Sequence, residues 1–338
     1  MKKKIKIIPP FLTIGYATHN RKKIVRNRLI EALQLNFQNN FEIIFVDNFS
    51  PDKTFDELKK LNTSKYISIY KNRKNFGFAG NFIQVILKAK GDYVIWVSDE
   101  DTIESENIQK IIKYLKRNKP DSLVLNHFKK NKQNLFPIRL NKNRLIKYFD
   151  LWETCHLPGN IWRKKAIIET IKKWDFYKSN FPQLTQYYPN LILMINLIPL
   201  NNSYFHRTHL TYQKDFEKSQ HKSIPGTAYS NVVPRWRQHN EILKLIDLYS
   251  TKSINQKNLL IFKKMKNYIN KNIFTLISNS IYEENKEIYY HFARSSYPMY
   301  IIKRNLNFIS KALKFFVYDP VTSLYIIKKR LRVFYEKK

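Results

Sequence analysis

The fold is decided by residues 93–101, which read YVIWVSDED. Five apolar residues, mostly β-branched or aromatic, are followed at once by Ser98 and three acids. A short apolar run of this composition that ends in turn-forming residues is typical of a buried β-strand leaving into a loop. The stretch therefore predicts a strand over 93–97 with an acidic cluster, Asp99 to Asp101, at its carboxyl end.

Outward from this strand, about the first 120 residues alternate between strand and helix patterns. Apolar runs predict strands over 11–16, 41–46 and 66–70, and apolar positions at helical spacing predict helices over 21–36, about 52–61 and 78–88. Such alternation predicts a mainly parallel sheet covered by helices. The fold class is therefore α/β.

Polar clusters follow three of the predicted strands, at residues 18–21, 47–52 and 98–101. In open α/β sheets, ligands bind beyond the carboxyl ends of the strands. Because these clusters share that edge, we expect a binding site there.

The pattern weakens beyond residue 120. Short strands are predicted over 123–125 and 157–162, a buried helix over 182–198, and helices from about residue 236 onward. No internal repeat or long linker interrupts the chain.

The acids from Asp99 to Asp101 indicate a cation site. Three neighbouring carboxylates repel one another unless a cation neutralises them. Carboxylates are also the hard oxygen ligands that Mg²⁺ and Mn²⁺ prefer, commonly together with substrate phosphates. The alternative is that these acids cap a helix that begins near Glu104, with Ser98 or Thr102 assisting.

Several segments occur in an order typical of one enzyme family. They are THNR at 18–21, VDNFSPD at 46–52, NFGFAGN at 75–81, and GDY at 91–93 leading to SDED at 98–101. Over roughly residues 11–104 this order resembles the nucleotide-binding half of family 2 glycosyltransferases. There the second strand ends in a Val-Asp-Asp-Gly-Ser-x-Asp pattern, and an acidic triplet of the Asp-x-Asp type follows later.

The resemblance implies a GT-A fold, Rossmann-like, with helices on both faces of the sheet. It further implies a catalytic domain over 1–235, with a nucleotide-binding half at about 11–104 and an acceptor half at about 120–235. A basic helical region over 236–338 follows.

The resemblance also implies residue roles. Asp47 would accept a hydrogen bond from the nucleotide base, and Asp99 and Asp101 would bind Mn²⁺ or Mg²⁺ together with the nucleotide. The other implied nucleotide-binding residues are Thr18, His19, Asn20, Asn48, Asn75 and Gly77. Asn48 stands where the family often has a second Asp, and His19 replaces the usual Tyr. The alternative for Asn75 and Gly77 is an ordinary turn role.

The catalytic base departs from the family pattern. An inverting enzyme needs a group, normally Asp or Glu, to take the proton of the acceptor hydroxyl. The family position falls near Gln183, which cannot act as a base. Asp175 is the favoured substitute, Asp215 is a second candidate, and a different mechanism is the remaining alternative.

A late histidine pair, His206 and His209, is a second cluster. Some GT-A enzymes take a further metal ligand from such a histidine, and a neutral imidazole suits Mn²⁺. His206 is the candidate for that ligand, whereas such histidines are more often ordinary loop residues.

The chain is strongly basic, with 61 Lys and Arg against 26 Asp and Glu. Such an excess favours nucleic acid, an anionic membrane surface or a phosphorylated substrate as partner. Residues 294–338 combine 11 Lys and Arg with interleaved aromatic residues and only two acids. This pattern predicts a segment that binds an anionic membrane surface, or alternatively a terminal helix packed on the catalytic domain.

The N-terminus lacks the apolar core of a secretory signal, and the longest apolar run is far below the roughly 20 residues that span a bilayer. We therefore expect a cytoplasmic protein, peripheral on the inner face of the cell membrane. The single Cys155 excludes an intrachain disulfide.

The sequence as a whole predicts a metal-dependent glycosyltransferase. By resemblance it would move a sugar from a nucleotide-diphosphate donor to a saccharide or lipid-linked acceptor, with inversion, in the synthesis of lipooligosaccharide, capsule or another surface polysaccharide. The alternatives are a nucleotidyltransferase, which normally has a Gly-rich basic loop absent here, and a basic nucleic-acid-binding protein. No nucleic-acid motif accompanies the charge, so nucleic acid is not an expected partner.

Overall fold

The computed structural model describes residues 9–37, 40–129, 143–155, 157–214 and 232–284. Residues 12–98, within the predicted nucleotide-binding half, consist of four strands joined by three helices. These elements are β1 (Leu12–Thr18), α1 (Lys22–Leu33), β2 (Phe41–Asp47), α2 (Thr54–Leu61), β3 (Ile67–Lys71), α3 (Gly77–Lys88) and β4 (Tyr93–Ser98). The strand and helix alternation predicted from the sequence is confirmed here.

The remaining elements are shorter and more varied. They are β5 (Asp101–Ile103), α4 (Ser105–Asn118), β6 (Ser122–Lys129), β7 (Arg144–Leu145), a 3-10 segment (Tyr148–Thr154), β8 (Asn160–Arg163), α5 (Lys164–Lys172), α6 (Trp174–Asn180), α7 (Pro182–Tyr187), α8 (Pro189–Leu197), a 3-10 turn (Ile198–Leu200), β9 (Ser203–Gln213), α9 (Val232–Lys252) and α10 (Gln256–Glu284).

One sheet carries all the described strands, in the order β3-β2-β1-β4-β8-β6-β9-β5, with β7 paired to β9. The four strands β3, β2, β1 and β4 are mutually parallel. Strand β8 is antiparallel to both β4 and β6, and β6 is parallel to β9. The carboxyl ends of β4 and β6 therefore point to the same edge of the sheet.

The parallel part of the sheet is stabilised by strands whose residues are almost all buried. Every residue of β2 is buried, as is every residue of β1 except one. Burial on both faces explains why these strands read as continuous apolar runs rather than alternating ones. The rings of Tyr16 and Phe45 stack with centroids 4.8 Å apart, which ties β1 to β2.

The backbone just before β4 passes so close to β1 that only glycine fits at residue 91. The N–H of Gly91 donates to Oγ1 of Thr13 at 2.9 Å, and a Cβ at Gly91 would lie 2.7 Å from the backbone nitrogen of Thr13. Because that neighbour is backbone, it could not move aside without disturbing β1.

The predicted single helix over 182–198 is wrong. The structure has α7 and α8 instead, separated at Tyr188, and Pro182 and Pro189 each begin one of them. Proline lacks the N–H that a helix interior uses, and it disfavours helical backbone in the preceding residue. Pro189 therefore ends the first helix and starts the second.

The described residues form two compact units. The first contains the sheet and its helices up to residue 214, with 254–261, and the second contains residues 232–253 and 262–284 of α9 and α10. The domain boundary expected at residue 235 stays a prediction. Within the described part of the chain, no helix is both long and apolar enough to cross a bilayer.

Candidate active site

The carboxyl ends of β1, β2 and β4 lie side by side, because β1 pairs in parallel with both neighbours. Thr18 is opposite Asp47, and Ala17 is opposite Ser98. The loops that follow these strands therefore meet at one edge of the sheet, together with the loop from β3 to α3. We call this region the carboxyl edge, and it comprises residues 18–21, 47–52, 72–77 and 98–101.

At the carboxyl edge, the Asp99 side chain is hydrogen-bonded by Thr18 and Arg21, at the end of β1 and in the loop that follows it. Thr18 Oγ1 donates to Oδ2 of Asp99 at 2.8 Å, and Nη1 of Arg21 donates to Oδ1 at 2.7 Å. The same Nη1 lies 2.9 Å from Oε1 of Glu100. The pKa of Asp99 is nevertheless raised, because burial disfavours the charged carboxylate more than Arg21 and Thr18 stabilise it. Arg21 thus supplies the positive charge that the acidic cluster requires.

Asp101 differs from its two acidic neighbours. It is the first residue of β5 and pairs with Gln213 of β9, whereas Oε2 of Glu100 accepts from the Gln213 side-chain amide at 3.1 Å. The Asp101 side chain is buried, and its Oδ2 has no hydrogen-bond partner in the described part of the chain. The alternative that these acids cap a helix is therefore not what the structure shows at Asp101, which begins a strand.

A histidine that the sequence did not single out contacts Asp101. Nε2 of His127, on β6, lies 3.4 Å from Oδ1 of Asp101, and both side chains are buried. Nδ1 of the same ring lies 3.3 Å from Oγ1 of Thr211 on β9. The only sequence signal was the apolar run at 123–125, whose strand carries His127 to the carboxyl edge.

The donor set around Asp101 fits a divalent cation. An unpartnered carboxylate oxygen and a nearby imidazole are ligands that Mn²⁺ accepts, and Mg²⁺ accepts the carboxylate. Both oxygens of Asp99 are already engaged by Thr18 and Arg21. Among the described residues, no group of three or more His, Cys, Asp or Glu is arranged to hold a metal ion. A cation at Asp101 would therefore take most of its remaining ligands from a bound substrate or water, and the metal site stays a prediction.

Asp47 closes the turn that follows β2. Its Oδ2 accepts from the backbone N–H of Ser50 at 3.1 Å, and the Ser50 hydroxyl donates to its Oδ1. The residue is fully buried. Asp47 therefore lies at the predicted place, and its role toward a base stays a prediction.

Two contacts join this turn to the loop that follows β1. The N–H of Asn20 donates to Oγ of Ser50 at 2.7 Å, and the N–H of Lys22 donates to Oδ2 of Asp52 at 3.0 Å. Asp52 also accepts from the N–H of Thr54, the first residue of α2, at 3.0 Å. The first two loops of the carboxyl edge are thus fixed to each other.

Asn48 holds the loop from β3 to α3 through its side-chain amide. Its amide nitrogen donates to Oδ1 of Asn75 at 2.8 Å and to the carbonyl of Gly77 at 3.1 Å. Its oxygen accepts from the Asn72 amide and from the N–H of Phe76, both at 3.0 Å. With this many internal partners and a buried side chain, Asn48 positions the loop from β3 to α3 rather than presenting a free amide to a nucleotide.

Asn75, Gly77 and His19 lie together on the exposed side of that loop. Oδ1 of Asn75 accepts from the N–H of Gly77 at 2.8 Å, and its Nδ2 lies 3.2 Å from Nε2 of His19. Gly77 has a φ of +73°, which a residue with a side chain adopts only with strain. The turn role of Asn75 and Gly77 is therefore present, and it brings them beside the first loop.

The candidates for the catalytic base lie on α6 and α7. Asp175 is in the first turn of α6 with its side chain exposed, and Gln183 is half-buried in α7. Asp215 lies outside the described residues. No contact in the described structure identifies one of them as the base, so the choice of Asp175 stays a prediction.

Glu153, in the acceptor half, is a partly buried carboxyl group with a raised pKa. The pKa of Glu153 is raised by burial and by the nearby charge of Asp150. Asp150 itself is held by two hydrogen bonds from Arg144, at 2.6 and 2.8 Å. The sequence did not indicate Glu153, because burial of a single acid in a 3-10 segment leaves no periodic pattern.

His206 does not lie with the acidic cluster. It pairs with Leu125 of β6, whereas Gln213, the partner of Asp101, pairs with Lys129. Four residues of strand separate these levels, which corresponds to about 13 Å. The His206 ring also packs edge-on against Tyr114, with centroids 4.4 Å apart. The structure therefore does not bring His206 to Asp99 and Asp101, and His127 occupies the place expected for a histidine ligand.

Acid should destabilise the protein partly through His206. Burial, with the nearby charge of Arg207, lowers the pKa of His206, and Nδ1 accepts from the N–H of Thr208 at 3.2 Å. Protonation removes that acceptor, so the unfolded chain binds the proton more readily and stability falls as pH drops below about 6.5. The melting temperature of the wild-type protein should therefore fall between about pH 7.5 and pH 5.5, and His206→Phe should reduce that fall. Equal pH dependence in both proteins would contradict this role.

Comparison with known proteins shows which family the first part of the chain resembles. Residues 13–176 match the family model described as glycosyl transferase family 2. Through this segment, a little under half of the chain, the protein is similar to glycosyl transferase family 2. The matched residues include β1 from Thr13 onward, β2 to β4 and the whole carboxyl edge, so the resemblance seen in the sequence is confirmed.

The curated proteins that this chain resembles are distant from it in sequence. The poly(ribitol-phosphate) β-N-acetylglucosaminyltransferase TarP of Staphylococcus aureus is 22% identical over 255 residues, which cover 72% of each chain. Two proteins of Haemophilus influenzae, each described as an uncharacterized glycosyltransferase, are 24% and 28% identical over 119 and 107 residues. These alignments span 46% and 35% of the Haemophilus proteins, so the chain matches less than half of their length.

Solved structures of glycosyltransferases share the fold of this chain. S. aureus TarS in complex with UDP-GlcNAc has a TM-score of 0.60 at 11% identity, covering 97% of this chain and 92% of that one. The mannosyltransferase PcManGT from Pyrobaculum calidifontis, in complex with GDP-Man and Mn²⁺, has a TM-score of 0.50 at 12% identity, covering 100% and 92%. The predicted GT-A α/β fold is confirmed. The basic segment predicted at 294–338 lies outside the described residues.

Proposed function

We propose that the protein transfers a sugar from a nucleoside-diphosphate sugar to an acceptor hydroxyl. The observation that carries this proposal is the joining of the loops after β1, β2, β3 and β4 at the carboxyl edge, within the segment that matches family 2. The relatives support it, since TarP is named as an N-acetylglucosaminyltransferase and TarS is described in complex with UDP-GlcNAc.

Different residues of the carboxyl edge would bind different parts of the donor. The turn closed by Asp47 and the exposed loop of His19 and Asn20 would bind the nucleoside. Asp101, with His127 beside it, would hold Mn²⁺ or Mg²⁺ together with the diphosphate. A bound divalent ion supplies positive charge that stabilises the diphosphate as it leaves. Arg21 would hold Asp99 and Glu100 in place and offset their charge.

We propose that the acceptor lies on the side of the sheet formed by β8, β6 and β9, and that transfer inverts the anomeric centre. The acceptor hydroxyl would give its proton to a carboxylate, with Asp175 retained as the candidate. The hydroxyl oxygen would then bond to the anomeric carbon as the bond from that carbon to the phosphate oxygen breaks.

The proposed acceptor is a saccharide or lipid-linked glycan of a bacterial surface polymer, such as lipooligosaccharide or capsule. The net charge of +35 and the basic segment at 294–338 support a place on an anionic membrane surface at the cytoplasmic side. Vesicle co-sedimentation of the full chain with anionic and with neutral lipid tests this placement. Equal binding to both would contradict it.

The donor is tested by thermal shift with UDP, GDP, ADP and CDP and their sugar derivatives, each with and without Mn²⁺. We expect one nucleotide to stabilise the protein, and to do so more strongly with Mn²⁺ present, because ligands that bind only the folded state raise its stability. A single-stranded oligonucleotide serves as the control for the alternative of nucleic-acid binding. Stabilisation by the oligonucleotide alone would overturn the proposal.

A further inference from the structure

Phe49 has a backbone conformation that its residue type disfavours. It follows Asn48 in the turn after β2 and has a φ of +62°. Asp47 closes the turn by accepting from the N–H and hydroxyl of Ser50. Of the two residues between them, Phe49 is the one in the left-handed region. Glycine adopts this conformation without steric penalty, whereas a bulky residue there is an outlier. The family pattern that this segment resembles has Gly at the position.

Burial of the ring does not explain the strained residue. Phe49 is 49% exposed, whereas its neighbours Asn48 and Ser50 are 2% and 6% exposed. The turn therefore displays an aromatic side chain outward while its polar neighbours point inward. Nζ of Lys71, the last residue of β3, lies 5.4 Å from the ring centroid. Strain of this kind persists where the surrounding structure enforces it, and it concentrates at ligand-binding sites.

The position of Phe49 in the sheet determines whether its ring lies nearer to the donor nucleoside or to the acceptor. The residue lies two positions after Asp47, at the end of β2. Strand β8, where the acceptor side of the sheet begins, is three strands away from β2, or about 14 Å at the usual strand spacing. The nucleoside end of a donor is thus nearer to Phe49 than the acceptor is.

We propose that the exposed Phe49 ring packs against the base of the donor nucleotide and contributes to its affinity. The inference rests on the proposed function, and it adds an apolar contact to the polar ones expected from Asp47 and its neighbours. A base presents a flat π face to an aromatic ring, and such stacking contributes substantially to binding. The strain at residue 49 is then the structural cost of placing this ring.

The test measures nucleotide affinity and thermal stability in the same variants. Calorimetry with the nucleoside diphosphate selected by the thermal-shift screen should show affinity reduced about five- to tenfold in Phe49→Gly, as expected for loss of one stacking contact. Phe49→Gly should at the same time melt at a higher temperature than wild type, because the left-handed backbone is no longer strained. Phe49→Tyr should keep the affinity, and Phe49→Leu should lose most of it.

The matched control is Phe149→Leu, which changes another exposed phenylalanine, 43% exposed on the 3-10 segment, and should leave nucleotide affinity unchanged. Wild-type affinity in Phe49→Gly or in Phe49→Leu would overturn the inference while leaving the proposed function intact. A wild-type protein that binds none of the nucleotides would overturn both. If Phe49→Gly fails to fold, Phe49→Leu, which keeps the strained backbone, decides the question.

Discussion

Asp101→Asn should reduce sugar transfer by about 100-fold or more, the order found when one charge-stabilising group is removed from an active site. The variant should remain folded and as stable as wild type. Asp101 is buried, and its Oδ2 has no hydrogen-bond partner among the described residues, so an isosteric neutral amide removes the cost of a buried charge. The substitution keeps an oxygen at the Oδ1 position, 3.4 Å from Nε2 of His127. Transfer rate, melting temperature and Mn²⁺ affinity in the presence of nucleotide are the three measurements.

The matched control for this prediction is Asp92→Asn. Asp92 is exposed and precedes β4, at the end of the strand opposite to the carboxyl edge, so this change should leave transfer and Mn²⁺ affinity at wild-type values. Full transfer by the Asp101→Asn enzyme would show that Asp101 has no role in the reaction. Undiminished transfer by the wild-type enzyme in excess EDTA would show that the reaction needs no metal ion.

Asn48→Asp should destabilise the protein by about 3 kcal/mol, since two buried donors are lost and the new carboxylate faces acceptors. The Asn48 amide nitrogen lies 2.8 Å from Oδ1 of Asn75 and 3.1 Å from the Gly77 carbonyl. A carboxylate cannot donate to either oxygen. For a domain of about 200 residues this corresponds to a fall in melting temperature of roughly 6–12 °C. Nucleotide affinity should fall as well, because the loop from β3 to α3 loses its anchor.

Asn75→Asp provides the contrast, because it is chemically the same change at the other end of one hydrogen bond. Oδ1 of Asn75 accepts from the Asn48 amide and from the N–H of Gly77, and a carboxylate oxygen accepts equally well. The residue is exposed, so the destabilisation should be below about 1 kcal/mol. Equal destabilisation by the two substitutions, measured by chemical denaturation, would contradict the direction of the hydrogen bond.

The sequence was sufficient to predict the first half of the fold. Buried parallel strands read as continuous apolar runs, and turn-forming residues mark where each run ends. The clustering of Thr18, Asp47 and Asp99 at one edge follows from the parallel order alone. These features depend on local composition and on one topological rule, and both are visible in a single chain.

What the sequence did not predict depends on partners distant in the chain. Arg21 and Asp99 are 78 residues apart, and the contact of His127 with Asp101 requires that β6 and β5 both reach β9. Asn48 positions the loop from β3 to α3 because its amide nitrogen faces Asn75 and the Gly77 carbonyl. That orientation is set by the loop itself, which is distant in the sequence. The break at Pro189 is a different case, because the proline was visible and its local effect on the preceding residue was sufficient to predict it.

The pairing of β5 with β9 has a consequence for protein synthesis. Asp101 is held opposite Gln213, so about 110 further residues must leave the ribosome before that pairing can form. At the usual elongation rate of about 5–20 residues per second, this is a delay of roughly 5 to 20 seconds. During that interval the nascent chain can complete β1 to β4 while Asp101 has no partner strand. The strands β1 to β4 should therefore pair before β5 does, and chaperone contact during translation should concentrate on nascent chains that end between residues 101 and 213.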